Sequence, residues 1–420
     1  MLHPRYNLEC TFVRRCILAS MSNSTPNQVE AGSTGSTMAG PIGVVNARPD
    51  AAAADHAIHA TPLTEALKPT HPMPLRQYRG AESMNGFSNL AEELAALLNA
   101  VGVYDLGWRL LIRCTGEDRV RWLNGMVTNF VSNLDENAGC YAFALNAQGR
   151  IQGDLDIYRR VDSFWLETDA SQVDALTAFL DHYIIMDDVT LESLPQWTAL
   201  GIAGPRAATS IADAGLPVPS SPMHLSETTW QGHSVIVTAA HSPLVPRYEV
   251  WMERESMLEM WNSLQAAGTL PCGVDAIESL RVLEGTPAYS IDITAKDLPQ
   301  ETNQMRALHF NKGCYLGQEI VERIHSRGNV HRTFAGFVLA DDSPTPGTSL
   351  LAEGKPVGEI TSIVRVNIPG IGERVIALGS IRREVLERKN ELMAGETVAR
   401  PSPLPFDFSS GSGHPEETTR

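Results

Sequence analysis

The densest set of residues able to do chemistry runs from Arg306 to Arg332, where five Lys/Arg stand against two Glu and three histidines are added. At its centre lies Lys312-Gly313-Cys314-Tyr315-Leu316-Gly317-Gln318-Glu319, followed by Glu322, Arg323, His325, Arg327 and His331. A thiol two residues after a lysine is suited to thiolate chemistry, provided positive charge stabilises it and solvent reaches it. Glycines at 313 and 317 let another group approach the backbone closely. The plainer reading is a small core cysteine beside a packed tyrosine, with the basic residues as a solvated face. No pairwise spacing here dictates one reaction.

A second cluster lies upstream. Ile151, Gly153, Leu155 and Ile157 alternate with Gln152, Asp154, Asp156 and Tyr158, the pattern of a strand with one polar face. On an ordinary strand a carboxylate of that face, Asp154 or Asp156, would simply meet solvent. Six cysteines (Cys10, Cys16, Cys114, Cys140, Cys272 and Cys314) are scattered without a C-x-x-C pair. Neither a structural zinc nor a redox dithiol is expected, no metal site is assigned, and a reducing cytoplasm fits best.

The elements that must position these residues are mixed. Residues 1–75 are rich in Ser, Thr, Asn, Ala, Pro and Gly without a sustained period and read as a disordered leader; 400–420 read as a disordered tail. Leu90, Leu94, Leu97, Leu98 and Val101 recur at helical spacing behind Asn89. Strands and helices then alternate, with a hairpin over Tyr141–Tyr158 and a helix carrying Ile277, Leu280 and Arg281. Antiparallel sheet with helices on one side is the economical arrangement, so the class is α+β. Residues 76–332 form two modules, and 333–399, strand-rich with Pro/Gly turns, form a C-terminal β-barrel. A formal charge of −16 over 420 residues argues against nucleic acid and anionic membranes as partners. Pro369-Gly370-Ile371-Gly372 is too short for a dinucleotide fingerprint and reads as a turn.

The Lys312–Glu319 run resembles the K-G-C-Y-x-G-Q-E signature of the YgfZ folate-binding proteins, and Leu298-Pro299-Gln300-Glu301-Thr302-Asn303 resembles the L-P-Q-E-x-N run that precedes it there. Gly102-Val103-Tyr104-Asp105-Leu106, Leu123–Asn129 and Leu280–Gly285 are similar to segments of the wider aminomethyltransferase scaffold. The resemblance implies a cloverleaf of three modules around a central hole, with tetrahydrofolate as cofactor. It implies Cys314 and Asp154 as catalytic residues, and Lys312, Tyr315, Gln318, Glu319, Arg281 and Arg327 as folate-binding residues. The pterin edge would want carboxylate or amide partners, and the glutamate tail Arg or Lys. The YgfZ branch further implies an accessory factor for iron–sulfur cluster assembly or repair, with client enzymes or assembly proteins as partners. The alternative is an aminomethyltransferase or demethylase passing a one-carbon unit to tetrahydrofolate.

Three departures from the transferase pattern favour the accessory reading. Gly153 replaces the first carboxylate of G-x-I-x-D-D-L, Val245 replaces the first Glu of T-G-E-x-G-F-E, and Cys314 stands where K-G-D-F-x-G carries Asp. Of the pterin-gripping pair only Glu249 remains, expected to face solvent or cap a strand. What Cys314 does stays open between transient binding of a sulfur or iron species and acceptance of a one-carbon unit. A single cysteine does not hold a cluster unaided.

Overall fold

The protein is represented by a computed structural model that describes residues 58–70, 73–328, 330–368 and 372–407. The first element is helix α1 (Pro62–Leu67), inside the span expected to be leader. Six residues are too few to show a helical period, but the helix has a Thr61 N-cap and Pro62 at its first position, and it buries Leu63 and Leu67. Thr61 Oγ1 donates to the buried Asp105 carboxylate, which also accepts from Ser83 Oγ and the Gly107 N–H, each at 2.8 Å. Folded chain therefore begins well before residue 76. The rest of the expected leader, 1–57, lies outside the described residues.

A hairpin, β1 (Leu75–Tyr78) and β2 (Ala81–Met84), leads to α2 (Leu90–Asn99), whose N-cap Asn89 accepts from the Glu92 N–H as its sequence predicts. Next come β3 (Gly102–Asp105), β4 (Arg109–Thr115), α3 (Arg119–Met126), and the hairpin β5 (Gly139–Leu145) and β6 (Ile151–Arg159). β7 (Phe164–Asp169), α4 (Val173–Asp181) and β8 (Thr190–Ser193) follow. The chain then returns to the first module through β9 (Trp197–Ala203), α5 (Ala207–Asp213), β10 (Leu225–Trp230), β11 (His233–Ala240), β12 (Arg247–Glu253), α6 (Met257–Ala266), β13 (Leu270–Cys272) and α7 (Val274–Glu284).

Two sheets result. One has six strands in the order β10-β11-β12-β9-β3-β13, antiparallel except for the β13–β3 pair; the other has five in the order β5-β6-β7-β4-β8. The module boundary is thus crossed twice, since β3 belongs with strands that follow more than ninety residues later. After an irregular stretch, α8 (Gln318–Arg327) leads into a closed barrel of β14 (Arg332–Leu339), β15 (Ser349–Ala352), β16 (Lys355–Ile368), β17 (Gly372–Arg382), β18 (Met393–Ala394) and β19 (Thr397–Ser402). Closure leaves the barrel without a free edge. The α+β class and the C-terminal barrel agree with the sequence reading.

The expected tail starts too early at 400. β19 continues to Ser402, Phe406 is 3% exposed, and its N–H donates to the Leu283 carbonyl at 2.9 Å. This short segment pins the barrel to α7, and residues 408–420 lie outside the described set.

Candidate functional site

A cleft opens where both sheets, the β1–β2 turn and α7 meet. One wall is the polar face of β6: Asp154, Asp156 and Tyr158 all line it, so alternation along that strand points its carboxylates inward rather than to solvent. Tyr78, Tyr104, Trp108 and Tyr141 supply flat aromatic surface, and Arg79, Arg109, Arg247, Arg306, Glu249 and Glu284 supply charge. Flat rings and convergent polar groups are the makings of a site for a planar, polar ligand.

Asp154 is held from two sides. Tyr141 Oη donates to its Oδ2 at 2.7 Å, and Gln172 Nε2 donates to its Oδ1 at 2.8 Å. The β6–β7 ladder runs only from Asp156↔Glu167 to Arg159↔Phe164. Asp154 therefore lies where the two strands separate, and side chains satisfy its backbone: its N–H donates to Gln172 Oε1 at 3.1 Å and its carbonyl accepts from Thr168 Oγ1 at 2.8 Å. Burial pushes its carboxyl above the usual range, as does the nearby charge of Asp169, while the two donors pull it back.

Deeper in the wall, Arg109 ties together Glu167, Asp169 (2.6 Å) and Asp156 (3.1 Å). Arg79 joins Asp169 at 3.2 Å and lies over the Trp108 ring, 4.9 Å from its centroid. Against the effect of burial, these two guanidiniums hold Asp169 below the ordinary carboxylate range. Glu167 is fully buried, its Oε2 has no partner among the described residues, and burial drives it well up despite Arg109.

The cationic side of the cavity is less completely paired. Arg306 stacks over Tyr141 at 4.0 Å and donates through Nε to Gln304 Oε1 at 3.2 Å. Arg247 reaches Glu249 at only 3.5 Å, and its buried Nε has no partner among the described residues. Glu249, 3% exposed and bound by Thr238 Oγ1 at 3.2 Å, faces this cavity, against the expectation of a solvent-facing or capping role.

The signature loop lies elsewhere, for none of residues 312–319 lines the cavity. Lys312, expected at the ligand and as a charge for Cys314, is buried and spends its three donors on the carbonyls of Asn124, Val127 and Asn129 at 2.6–2.7 Å, closing the C-terminal end of α3. Burial draws its pKa down to about 7, yet three acceptors at such distances each require an N–H, so the ammonium is the form that fits. Tyr315 is buried in a small cluster with Leu145, Ile151 and Val321, its hydroxyl unpartnered among the described residues. Gln318 Oε1 accepts from the Tyr315 N–H, holding the loop's shape.

Gly317 has φ +79°, and a Cβ there would come within 2.6 Å of the Asn146 carbonyl oxygen, so the loop can rest on the β5–β6 turn only with glycine. Glu319 is exposed and pairs with Arg323 at 2.9 Å, while Arg327 is an exposed residue in the last turn of α8. Cys314 is half-buried in this loop. Arg281 does border the cavity, but all five of its N–H groups are taken by Glu278 (two), Asp292, the Thr286 carbonyl and Ser362 Oγ. It clamps α7 to the barrel and has no donor left for a glutamate tail.

Of the predicted site residues, Asp154 and Arg281 thus border the cavity, and the signature loop buttresses it from outside. Arg109, Tyr141, Gln172, Arg247 and Arg306 were missed. Asp156 and Arg306 stood within patterns already singled out, whereas the pairing of Arg109 with β6 depends on sheet order, which local spacing does not carry.

The fold is shared with a solved structure, the glycine cleavage system aminomethyltransferase T from Bartonella henselae. The two superpose with a TM-score of 0.75 at 21% identity, over 84% of this chain and 98% of that one. The architecture is therefore that of an aminomethyltransferase-type α+β protein. The sequence model of the GCVT N-terminal domain matches residues 71–312, and the chain belongs to that family. It is 24% identical to a putative chloroplastic transferase of Arabidopsis thaliana over 75% of this chain and 73% of that protein. It is also 24% identical to an aminomethyltransferase of Staphylococcus haemolyticus (73% and 86%) and 22% identical to one of Bacillus subtilis (69% and 82%). Among the described residues no helix is long and apolar enough to cross a membrane, and no cluster of metal-binding side chains occurs.

Proposed function

We propose that the chain binds tetrahydrofolate in the central cavity and uses Asp154 as the carboxylate that receives an N–H during transfer of a one-carbon unit. The observation that carries this reading is Asp154 itself, a partly buried carboxylate on the cavity wall with one donor on each oxygen and lone pairs to spare. The cavity's residues fit a reduced folate. Tyr104, Trp108 and Tyr141 line it with aromatic surface; Asp154 and Glu249 suit ring N–H groups; Arg247, whose Nε has no partner among the described residues, and Arg306 suit the carboxylates of the glutamate tail. Bound folate would supply the one-carbon carrier. This chain's own part is to exclude water, orient the donor nitrogen and stabilise positive charge on it through Asp154.

The relatives named aminomethyltransferase support this use of the cavity, and the signature loop favours a second one. Cys314 within K-G-C-Y-x-G-Q-E is the mark of the YgfZ resemblance, and Gly153 removes one of the two carboxylates of the transferase pattern. On that reading the folate-loaded protein assists iron–sulfur enzymes through the loop that carries Cys314. Fluorescence titration with tetrahydrofolate tests what both readings share: saturable quenching is expected, reduced at least tenfold by Asp154→Asn, and no quenching would end both. Deletion of the gene with restoration by the Cys314→Ala variant separates them. Full recovery of iron–sulfur enzyme activity by that variant removes the second reading.

A further inference from the structure

Gln172 occupies the N-cap position of α4 yet makes no side-chain cap to that helix. It is 3% exposed, and its amide turns instead to β6, where Oε1 takes the backbone N–H of Asp154 and Nε2 takes Oδ1 of the same residue. One side chain thus grips both the main chain and the carboxylate of one residue, fixing the torsion between them. The contact depends on the neighbour that departs from the transferase pattern. A Cβ added at Gly153 would lie 3.2 Å from Gln172 Oε1 and 3.1 Å from Leu176 Cδ1, so that the amide or the leucine must give by a few tenths of an ångström. A second carboxylate at 153 would add charge beside that amide oxygen.

We propose that Gln172 is the positioning residue for Asp154, and that glycine at 153 exists in this chain to admit it: one carboxylate held by an amide takes the place of a carboxylate pair. This deepens the reading of Asp154 as the working group of the cavity and rests on it. The amide N–H and the Tyr141 hydroxyl both stabilise the ionised form, opposing burial and Asp169, and they leave Asp154 oriented as an acceptor. The ligand class implied is one that presents an N–H or ammonium group to a single fixed carboxylate.

The test is a 13C NMR titration of the aspartate carboxyls, with the Asp154 signal assigned by Asp154→Asn and thermal melting run on every variant. Gln172→Leu should raise the Asp154 titration by about one pH unit, and Gln172→Glu, which keeps the packing and removes the donor, by more. Gly153→Ala should move it the same way, and the Gly153→Ala/Gln172→Leu double variant no further than Gln172→Leu alone. Tetrahydrofolate affinity at neutral pH should fall about tenfold in each folded variant, since a disordered carboxylate forfeits one oriented hydrogen bond. An Asp154 titration unmoved in folded Gln172→Leu or Gln172→Glu protein overturns the proposal, as does a Gly153→Ala effect that simply adds to it. If the titration moves as stated while the wild-type protein ignores tetrahydrofolate, the positioning role stands and the folate reading falls.

Discussion

Two buried ionic side chains show how differently one structure can use a charge. Lys312 has no acidic partner among the described residues, and its ammonium is solvated by three carbonyls at the end of α3. Removing it orphans those acceptors inside the protein. Lys312→Met should therefore cost about 3 kcal/mol in denaturant unfolding, with little change in ligand affinity beyond that expected from stability. Asp154 is the converse, a partly buried carboxyl on the cavity wall held by one side-chain donor on each oxygen. Its pKa lies above the ordinary carboxylate value, so acceptor strength is present at neutral pH and fades as pH falls through that raised value. Tetrahydrofolate affinity should weaken on acidification earlier than an unperturbed aspartate would dictate. Asp154→Asn should flatten this dependence, and an unchanged pH profile in that variant would assign the titration to another group.

At the scale of elements, α7 is the keystone. Arg281 joins Glu278 on its own helix, Asp292 in the following loop and Ser362 in β16, so three separate pieces of chain meet at one guanidinium. Burial opposes ionisation of Glu278, but the Arg281 charge prevails and holds it down at about 2. Its folded pKa is thus below the unfolded value near 4.3, so the stabilisation is complete above that value and is lost as pH falls from roughly 4.3 to 2, about 3 kcal/mol in all. Arg281→Met should lose 3–5 kcal/mol at neutral pH and erase that acid limb, as urea midpoints measured from pH 7 to 2.5 would show. Such an arginine was legible in the sequence only as a cation on a helix. The alternation in β6 and the Asn89 cap were readable because both are local, and the barrel because its strands follow one another. The return of β9 to β3, the helix of six residues at 62–67, and the duty of Lys312 at α3 could not be read, because each is decided by distant partners. The packing of the signature loop was hidden for a related reason: Gly317 rests against the β5–β6 turn and Gln318 on the Tyr315 backbone, both distant or irregular contacts.

Seen as a whole molecule, the cavity belongs to no single module. Tyr78 comes from the first hairpin, Tyr104 and Glu249 from the six-stranded sheet, Arg109 and Asp154 from the five-stranded sheet, and Arg281 from the helix tied to the barrel. A ligand seated among them would contact both sheets, the first hairpin and α7, which Arg281 ties to the barrel, so its binding energy should appear in the stability of the described fold. With tetrahydrofolate at a hundred times its dissociation constant, the expected gain is about 2.7 kcal/mol. In a chain of this size that should raise the melting temperature by roughly 3 °C, and calorimetry should show one transition moving as a unit. Asp154→Asn should shrink the shift, whereas Glu319→Gln, on the exposed side of the signature loop, should leave it intact. If the ligand instead split the melt into a shifted and an unshifted transition, the modules would be energetically separate, and the cavity could not be the shared seam that its lining residues describe.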